Sequence, residues 1–102
     1  MASTPEGKVK DRIKALLKSH RVYYAMPIGS GYGISGIPDF LCCVSGKFLA
    51  IEAKAGKGQA TALQLKALKS IEDAGGAAII VRETDYADLE ALIVAIKTGG
   101  RA

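Results

Sequence analysis

The pattern of apolar and polar positions predicts three helices and four strands. Apolar residues recur at helical spacing in three segments, residues 5–19, 61–74 and 85–97. β-branched, aromatic and other apolar residues favour strands in four segments, residues 21–26, 37–44, 47–54 and 77–82. The predicted order is therefore α-β-β-β-α-β-α, which indicates a single α/β domain over residues 1–102.

The connections between these segments indicate a mixed sheet. Ser45-Gly46 separates the second and third strands and predicts a two-residue hairpin turn. The last strand follows a helical crossover, so we expect it to run parallel to residues 47–54. Residues 77–82 form a nearly continuous apolar run, which predicts burial on both faces of that strand.

A glycine-rich stretch precedes the second strand and has the spacing of a dinucleotide-binding loop. Gly31, Gly33 and Gly36 read G-x-G-x-x-G. Such a loop needs a helix that opens directly after it, because the helix N-terminus holds the pyrophosphate. Pro38 disfavours helical geometry at Ile37, and the residues that follow are typical of a strand. We therefore interpret this stretch as a pliable loop that enters a strand, and we expect no nucleotide cofactor.

The predicted hairpin brings two carboxylates together. If Ser45-Gly46 is the turn, Asp39 lies directly opposite Glu52, with side chains on one face of the sheet. Opposed carboxylates repel each other unless a positive group lies between them, and oxygen ligands suit Mg²⁺ or Mn²⁺. Lys54 shares the face of Glu52. The alternative is an ordinary Glu–Lys pair at a strand end that reaches water.

Two polar side chains fall within the apolar arcs of predicted helices. Glu6 lies inside the arc of the first helix and should face the core. Gln64 lies inside the arc of the second helix, which is defined by Leu65, Leu68 and Ile71. Each has an ordinary alternative, a capping box with Ser3 for Glu6 and with Thr61 for Gln64.

Composition and charge narrow the class of protein. Apolar residues make up 49% of the chain, and no apolar run approaches the roughly 20 residues of a membrane span. The N-terminus shows no signal-peptide pattern, so we expect the chain to stay in the cytoplasm. The net charge of +4 permits a polyanionic partner, although the basic first helix could equally be a solvated face. The adjacent Cys42 and Cys43 are expected to be free, small core residues.

Taken together, the candidate residues resemble a known group of nucleases. They are Glu6, Gly36-Ile37-Pro38-Asp39-Phe40, Ile51-Glu52-Ala53-Lys54, Lys57-Gly58, Thr61 and Gln64. This arrangement resembles the PD-(D/E)xK nuclease superfamily, and within it the small standalone form of the virus-type replication-repair nuclease (VRR-NUC) domain. The resemblance implies a restriction-endonuclease-like core with a mixed sheet flanked by helices, and an Mg²⁺- or Mn²⁺-dependent endodeoxyribonuclease.

The resemblance also implies roles for individual residues. The catalytic residues would be Asp39, Glu52, Lys54 and Gln64. The metal ligands would be Glu6, Asp39, Glu52 and the backbone carbonyl of Ala53. The contacts to nucleic acid would be Ser30, Tyr32, Ser35, Lys57, Thr61, Lys10 and Lys14.

The partners implied are DNA and a second copy of the chain. Small members of this group resemble Holliday junction resolvases, so we expect a structure-selective homodimer that acts on branched or junction DNA. Flaps, nicks, plain duplex and RNA are compatible with the same residues. The alternatives are a non-catalytic nucleic-acid-binding module and a structural domain with surface ion pairs.

Overall fold

The computed structural model describes residues 4–28 and 35–99, which form one sheet and three helices. The elements are α1 (Pro5–Ser19), β1 (Tyr23–Ala25), β2 (Phe40–Val44), β3 (Lys47–Ala53), α2 (Ala62–Asp73), β4 (Ala77–Val81) and α3 (Tyr86–Lys97). This order confirms the α-β-β-β-α-β-α prediction. None of the helices in the described ranges is long and apolar enough to cross a membrane.

The four strands are arranged in the order β1-β2-β3-β4. The first three are antiparallel, and β4 runs parallel to β3, as predicted. Ser45 and Gly46 have φ values of 49° and 83°, the two positive values that a type I′ hairpin turn requires. Val44 consequently pairs with Lys47 and Phe40 pairs with Ile51, which confirms the predicted register.

The main core lies between one face of the sheet and helices α1 and α3. Alternate strand positions supply it, because successive side chains of a strand point to opposite faces. Its buried members are Val9, Ile13, Leu17, Val22, Phe40, Cys42, Val44, Leu49, Ile51, Ala53, Val81, Leu89, Ile93 and Ile96. The guanidinium of Arg12 stacks 4.8 Å from the centre of the Tyr86 ring and joins α1 to the start of α3.

The opposite face of the sheet is only half covered. Helix α2 contacts β3 and β4, so side chains on this face of β1 and β2 stay open to solvent. Cys43 is exposed here, and the prediction that both cysteines belong to the core holds only for Cys42. The predicted apolar arc of α2 is only partly buried. Leu65 is 51% exposed, whereas Leu68 is buried, because α2 packs mainly against β4.

Three strand predictions are corrected in detail. In β4 the residues before Val81 are only half-buried, because β4 lies at the edge of the sheet rather than inside it. The first strand is shorter than predicted, since Arg21 takes a left-handed φ of 57° after α1 and pairing begins at Tyr23. The second strand begins at Phe40, so Asp39 lies directly before it.

Candidate active site

Asp39 and Glu52 meet at the open end of the β2–β3 hairpin. The Phe40–Ile51 pair is the last of the ladder, and one further step along both strands leads to Asp39 and Glu52. The Asp39 carboxylate takes the place of a strand partner there, because its Oδ2 accepts a hydrogen bond of 2.9 Å from the Ala53 N–H. This bond fixes the orientation of Asp39 and leaves its Oδ1 facing outward from the strand.

Glu52 is a buried acid with an unsatisfied oxygen. Only 1% of its surface is exposed, and among the described residues its Oε1 has no hydrogen-bond partner. Its Oε2 lies 3.6 Å from Nζ of Lys54, whose side chain is 13% exposed. Burying a carboxylate without full pairing is costly, so this oxygen is suited to a ligand that supplies positive charge.

The electrostatics of this pair favour a proton or a cation. Burial is the largest cause that raises the pKa of Glu52, and the neighbouring Asp39 carboxylate adds to it. Lys54 partly opposes the effect, and the pKa of Glu52 rises from its ordinary 4.5 to about 7. A carboxyl group with such a pKa is poised to exchange its proton for a metal ion near neutral pH.

Glu6 stands beside this pair rather than in the core. Its side chain is 43% exposed, which corrects the prediction that it faces the core. The capping box with Ser3 is wrong as well, because the N-cap of α1 is Thr4 and its hydroxyl accepts from the N–H of Gly7. Lys10 connects Glu6 to the site: its Nζ lies 3.5 Å from Glu6 Oε2 and 3.5 Å from Asp39 Oδ1.

Gln64 forms a capping box with Thr61, which was the ordinary alternative to a role in the site. Its Oε1 accepts from the Thr61 N–H at 2.9 Å, and the Thr61 hydroxyl accepts from the Gln64 N–H at 3.1 Å. All described hydrogen bonds of the Gln64 side chain belong to this box. Its catalytic role, and the contact of Thr61 with nucleic acid, stay predictions.

The loop before Asp39 rests directly on the start of α2. Gly36 has a φ of +82°, and a Cβ built on it would come within 2.6 Å of the Leu63 backbone. Only glycine meets both conditions without strain. The buried Pro38 follows and restricts Ile37 to an extended conformation, so the chain reaches Asp39 as a defined segment. A strand and not a helix comes next, as predicted.

Solved structures share the fold of this chain. A VRR_NUC domain protein has a TM-score of 0.60 and 15% sequence identity, with coverage of 84% of this chain and 84% of that one. The structure of Archaeoglobus fulgidus Hjc, a Holliday junction resolvase from an archaeal hyperthermophile, has a TM-score of 0.57 and 19% identity. The match covers 74% of this chain and 65% of the resolvase, so the chain spans just under two thirds of the resolvase's length.

This chain has the VRR-NUC fold. The likeness confirms the expected restriction-endonuclease-like core at the level of the fold. No protein-family model and no curated protein matches the sequence. The likeness is therefore one of three-dimensional fold.

The VRR-NUC fold brings some of the predicted residues together and leaves others apart. Asp39, Glu52 and Lys54 form one cluster, and Glu6 reaches it through Lys10. Lys57 and Ser35 are exposed outside it, while Lys14 pairs with Asp11 on α1 at 3.4 Å. Ser30 and Tyr32 lie outside the described residues.

Sequence reasoning missed two features near the site. It assigned Lys10 to nucleic acid and overlooked its contact with Asp39, although the i,i+4 spacing of Glu6 and Lys10 was a signal. It also missed an apolar groove of about 470 Å³ beside the Asp39 loop. The groove is lined by Ser35, Ile37, Pro38, Leu41, Phe48, Leu63, Lys66, Ala67, Ser70 and Ile71.

The donor atoms fit a hard divalent cation. Among residues 4–28 and 35–99, no group of three or more acidic, histidine or cysteine side chains converges as a metal site. Asp39 and Glu52 nevertheless offer oxygen atoms side by side, and the partnerless Glu52 Oε1 is an acceptor without a donor. Carboxylate and carbonyl oxygens are the ligands that Mg²⁺ and Mn²⁺ take in proteins. Ligation by Glu6 and the Ala53 carbonyl stays a prediction.

Proposed function

We propose that this protein is a divalent-metal-dependent endonuclease that hydrolyses phosphodiester bonds in branched DNA. The observation that carries the proposal is the buried, partnerless Oε1 of Glu52 beside Asp39, with Lys54 on the same face. Burial of Glu52 disfavours its charged form, which would weaken a purely structural ion pair. The same burial suits a site that binds a metal ion and a phosphate.

Asp39, Glu52 and the Ala53 carbonyl would hold the cation, with Glu6 acting directly or through water. A bound Mg²⁺ or Mn²⁺ supplies an activated water molecule and neutralises charge on the phosphate. The hydrogen bond from the Ala53 N–H to Oδ2 orients the Asp39 carboxylate before a ligand arrives. Glu52 would give up its proton on becoming a ligand.

Lys54 would act on the phosphate or on the attacking water. Hydrolysis forms a bond from the water oxygen to phosphorus, and the bond from phosphorus to a sugar oxygen breaks. The water loses a proton, and the departing sugar oxygen gains one. The half-buried Lys54 ammonium, held near Glu52 Oε2, can orient the water and stabilise negative charge on the phosphoryl oxygens. Gln64 is proposed to position Lys54 or the water through its side-chain amide.

The choice of branched DNA draws on the resolvase that shares the fold. Ser35 and Lys57 are exposed and lie close in sequence to Asp39 and Lys54, and the net charge of +4 suits a polyanion. Contacts of this kind hold the phosphate backbone and carry no sequence information, which favours selectivity for DNA structure. A homodimer would present two such sites to two strands, and the half-covered face of the sheet offers apolar surface for it.

The test compares cleavage of branched, flapped and linear DNA in Mg²⁺, Mn²⁺ or EDTA. We expect cleavage of branched DNA with either metal and none with EDTA. Asp39→Asn and Lys54→Met should each reduce the cleavage rate by about a hundredfold or more, because each removes a group that acts on the reacting phosphate. Asp39→Asn keeps an oxygen that can accept from the Ala53 N–H. A loss of cleavage in this variant therefore reports on the missing charge rather than on misfolding.

Matched controls come from exposed ion pairs elsewhere in the chain. Asp11→Asn on α1 and Lys69→Met on α2 remove the same charges from exposed side chains, and both should cleave at nearly the native rate. Cleavage that persists in EDTA would overturn the proposal. Tight binding of branched DNA without cleavage would instead support a non-catalytic nucleic-acid-binding module.

A further inference from the structure

Lys10 lies between two carboxylates and is the more exposed of the two ammonium groups of the cluster. Its Nζ is 3.5 Å from both Glu6 Oε2 and Asp39 Oδ1. Its side chain is 32% exposed on the surface of α1. Ion pairs in such surroundings are weak and are broken at little cost, so the ammonium can leave the site.

Asp39 has one oxygen available for a cation, and Lys10 faces it. The other oxygen, Oδ2, is engaged by the Ala53 N–H at 2.9 Å. A metal ion that binds Asp39 through Oδ1 therefore meets the Lys10 ammonium at the same atom. Two positive charges cannot share one carboxylate oxygen without mutual repulsion.

The charge balance of the cluster points the same way. The carboxylates of Glu6, Asp39 and Glu52 face the ammonium groups of Lys10 and Lys54. A divalent cation added to this group leaves an excess of positive charge unless one ammonium departs. Lys54 is only 13% exposed and adjoins the buried Glu52. Lys10 is therefore the ammonium group that can leave the cluster.

We propose that Lys10 is an internal counter-ion that competes with the divalent cation for Asp39 and moves to a DNA phosphate when the cation binds. The inference rests on the proposed function, because it takes Asp39 as a metal ligand. Lys10 is then a positioning residue that couples two binding events. DNA that engages Lys10 removes the competitor, so DNA and metal strengthen each other's binding.

The first experiment measures Mn²⁺ affinity by isothermal titration calorimetry without DNA. Lys10→Met should bind Mn²⁺ about three- to tenfold more tightly than the native chain, as expected when one charge beside a half-exposed carboxylate is removed. Lys14→Met is the matched control, since Lys14 also lies on α1, pairs with Asp11 at 3.4 Å and is 38% exposed. Its Mn²⁺ affinity should stay within about twofold of native.

Further variants keep the result interpretable. Lys10→Gln should repeat the gain, and circular dichroism checks that each variant is folded. An unchanged or weaker affinity in folded Lys10→Met would overturn the inference. An equal gain in Lys10→Met and Lys14→Met would also overturn it, because net charge alone would then explain the change.

A second readout is the coupling between metal and DNA. Titrations are made with and without branched DNA whose linkages keep their charge but resist hydrolysis, so the DNA stays intact and the charges of the cluster are unchanged. DNA should raise the Mn²⁺ affinity when Lys10 is present, and this gain should largely disappear in Lys10→Met. An equal gain in both proteins would contradict the inference.

The failure of the inference can be told from the failure of the proposed function. If Asp39→Asn binds Mn²⁺ as well as the native chain, Asp39 is not a ligand, and both are wrong. If binding depends on Asp39 but not on Lys10, only the inference is wrong.

Discussion

At the scale of single residues, Glu52 combines a proposed role as a metal ligand with an expected cost in stability. Its carboxyl is buried, faces Asp39 and keeps one oxygen without a partner. Its burial raises the pKa of this carboxyl to about 7, so the folded chain disfavours its ionised form. Such a group is expected to cost stability while it prepares a binding site, as many catalytic groups do.

The raised pKa of Glu52 predicts a fall in stability as pH rises. Between its ordinary 4.5 and about 7, the folded chain holds a proton that the unfolded chain has released. The folded state therefore binds more protons, and the free energy of unfolding declines through this window, by up to a few kcal/mol. Urea unfolding at pH values from 4 to 8 should show this decline in the native chain. Glu52→Gln should flatten it, and equal profiles for both proteins would contradict the assignment.

A divalent cation should reverse this cost. Because Mn²⁺ would bind the folded chain through ionised Glu52, it should raise the thermal unfolding midpoint at pH 8. The increase should be much smaller at pH 5, where the carboxyl keeps its proton, and smaller in Glu52→Gln at either pH. A similar increase in Glu52→Gln would show that Mn²⁺ stabilises the protein elsewhere.

At the scale of elements, the site depends on how the Asp39 loop meets α2. Gly36 lies against the backbone of Leu63 in the first turn of that helix, where a Cβ has no room. This contact fixes the position of the loop against α2, and Asp39 follows Gly36 three residues later in the chain. Helix α2 thus supports the Asp39 loop through its backbone.

Gly36→Ala should damage the site more than an equivalent change elsewhere. Gly46 is the matched control, because its φ of +83° equals that of Gly36 but nothing lies within 4 Å of a Cβ built there. Gly46→Ala should cost about 1 kcal/mol of stability from backbone strain alone. Gly36→Ala should cost more, since the Cβ must also push the loop off α2, and it should slow cleavage. Equal losses of stability and activity in both variants would argue against a role for this contact.

The sequence predicted the order of helices and strands and the hairpin register correctly. It predicted the burial of individual residues and the contacts between elements less well. The register that opposes Asp39 to Glu52 followed from a two-residue turn, which is a local rule and was confirmed. The placement of Glu6 failed because helix periodicity gives a direction but not the tilt of the helix against the sheet. The burial of β4 was overestimated because its edge position depends on strand order, which no local pattern encodes. The Lys10–Asp39 contact joins α1 to the hairpin and needed the tertiary structure.

At the scale of the whole molecule, the two faces of the sheet differ. Helices α1 and α3 close one face over the core, while α2 covers only the β3–β4 side of the other. Large apolar side chains remain exposed there, among them Tyr23 at 75%, Phe48 at 44% and Leu63 at 53%. Exposed apolar side chains on one face of a sheet are typical of an interface, and they support the proposed homodimer.

Phe48→Asp should dissociate the proposed homodimer, because it places a charge among these exposed apolar side chains. Val94→Asp is the matched control, since Val94 is 43% exposed but lies on α3, on the opposite side of the sheet. Light scattering without DNA should give a dimer mass for the native chain and Val94→Asp, and a monomer mass for Phe48→Asp. A monomer mass for the native chain would refute the dimer.

The position of Asp39 and Glu52 at the open end of the hairpin has a consequence for folding. A hairpin with a tight turn closes from the turn outward, since the shortest loops cost the least entropy. The Ser45–Gly46 end should form early, and the two repelling carboxylates should meet last. The same end should open first when the native protein fluctuates. Amide hydrogen exchange should therefore be faster at Ala53 than at Leu49, and a bound metal ion should slow it at the site before anywhere else.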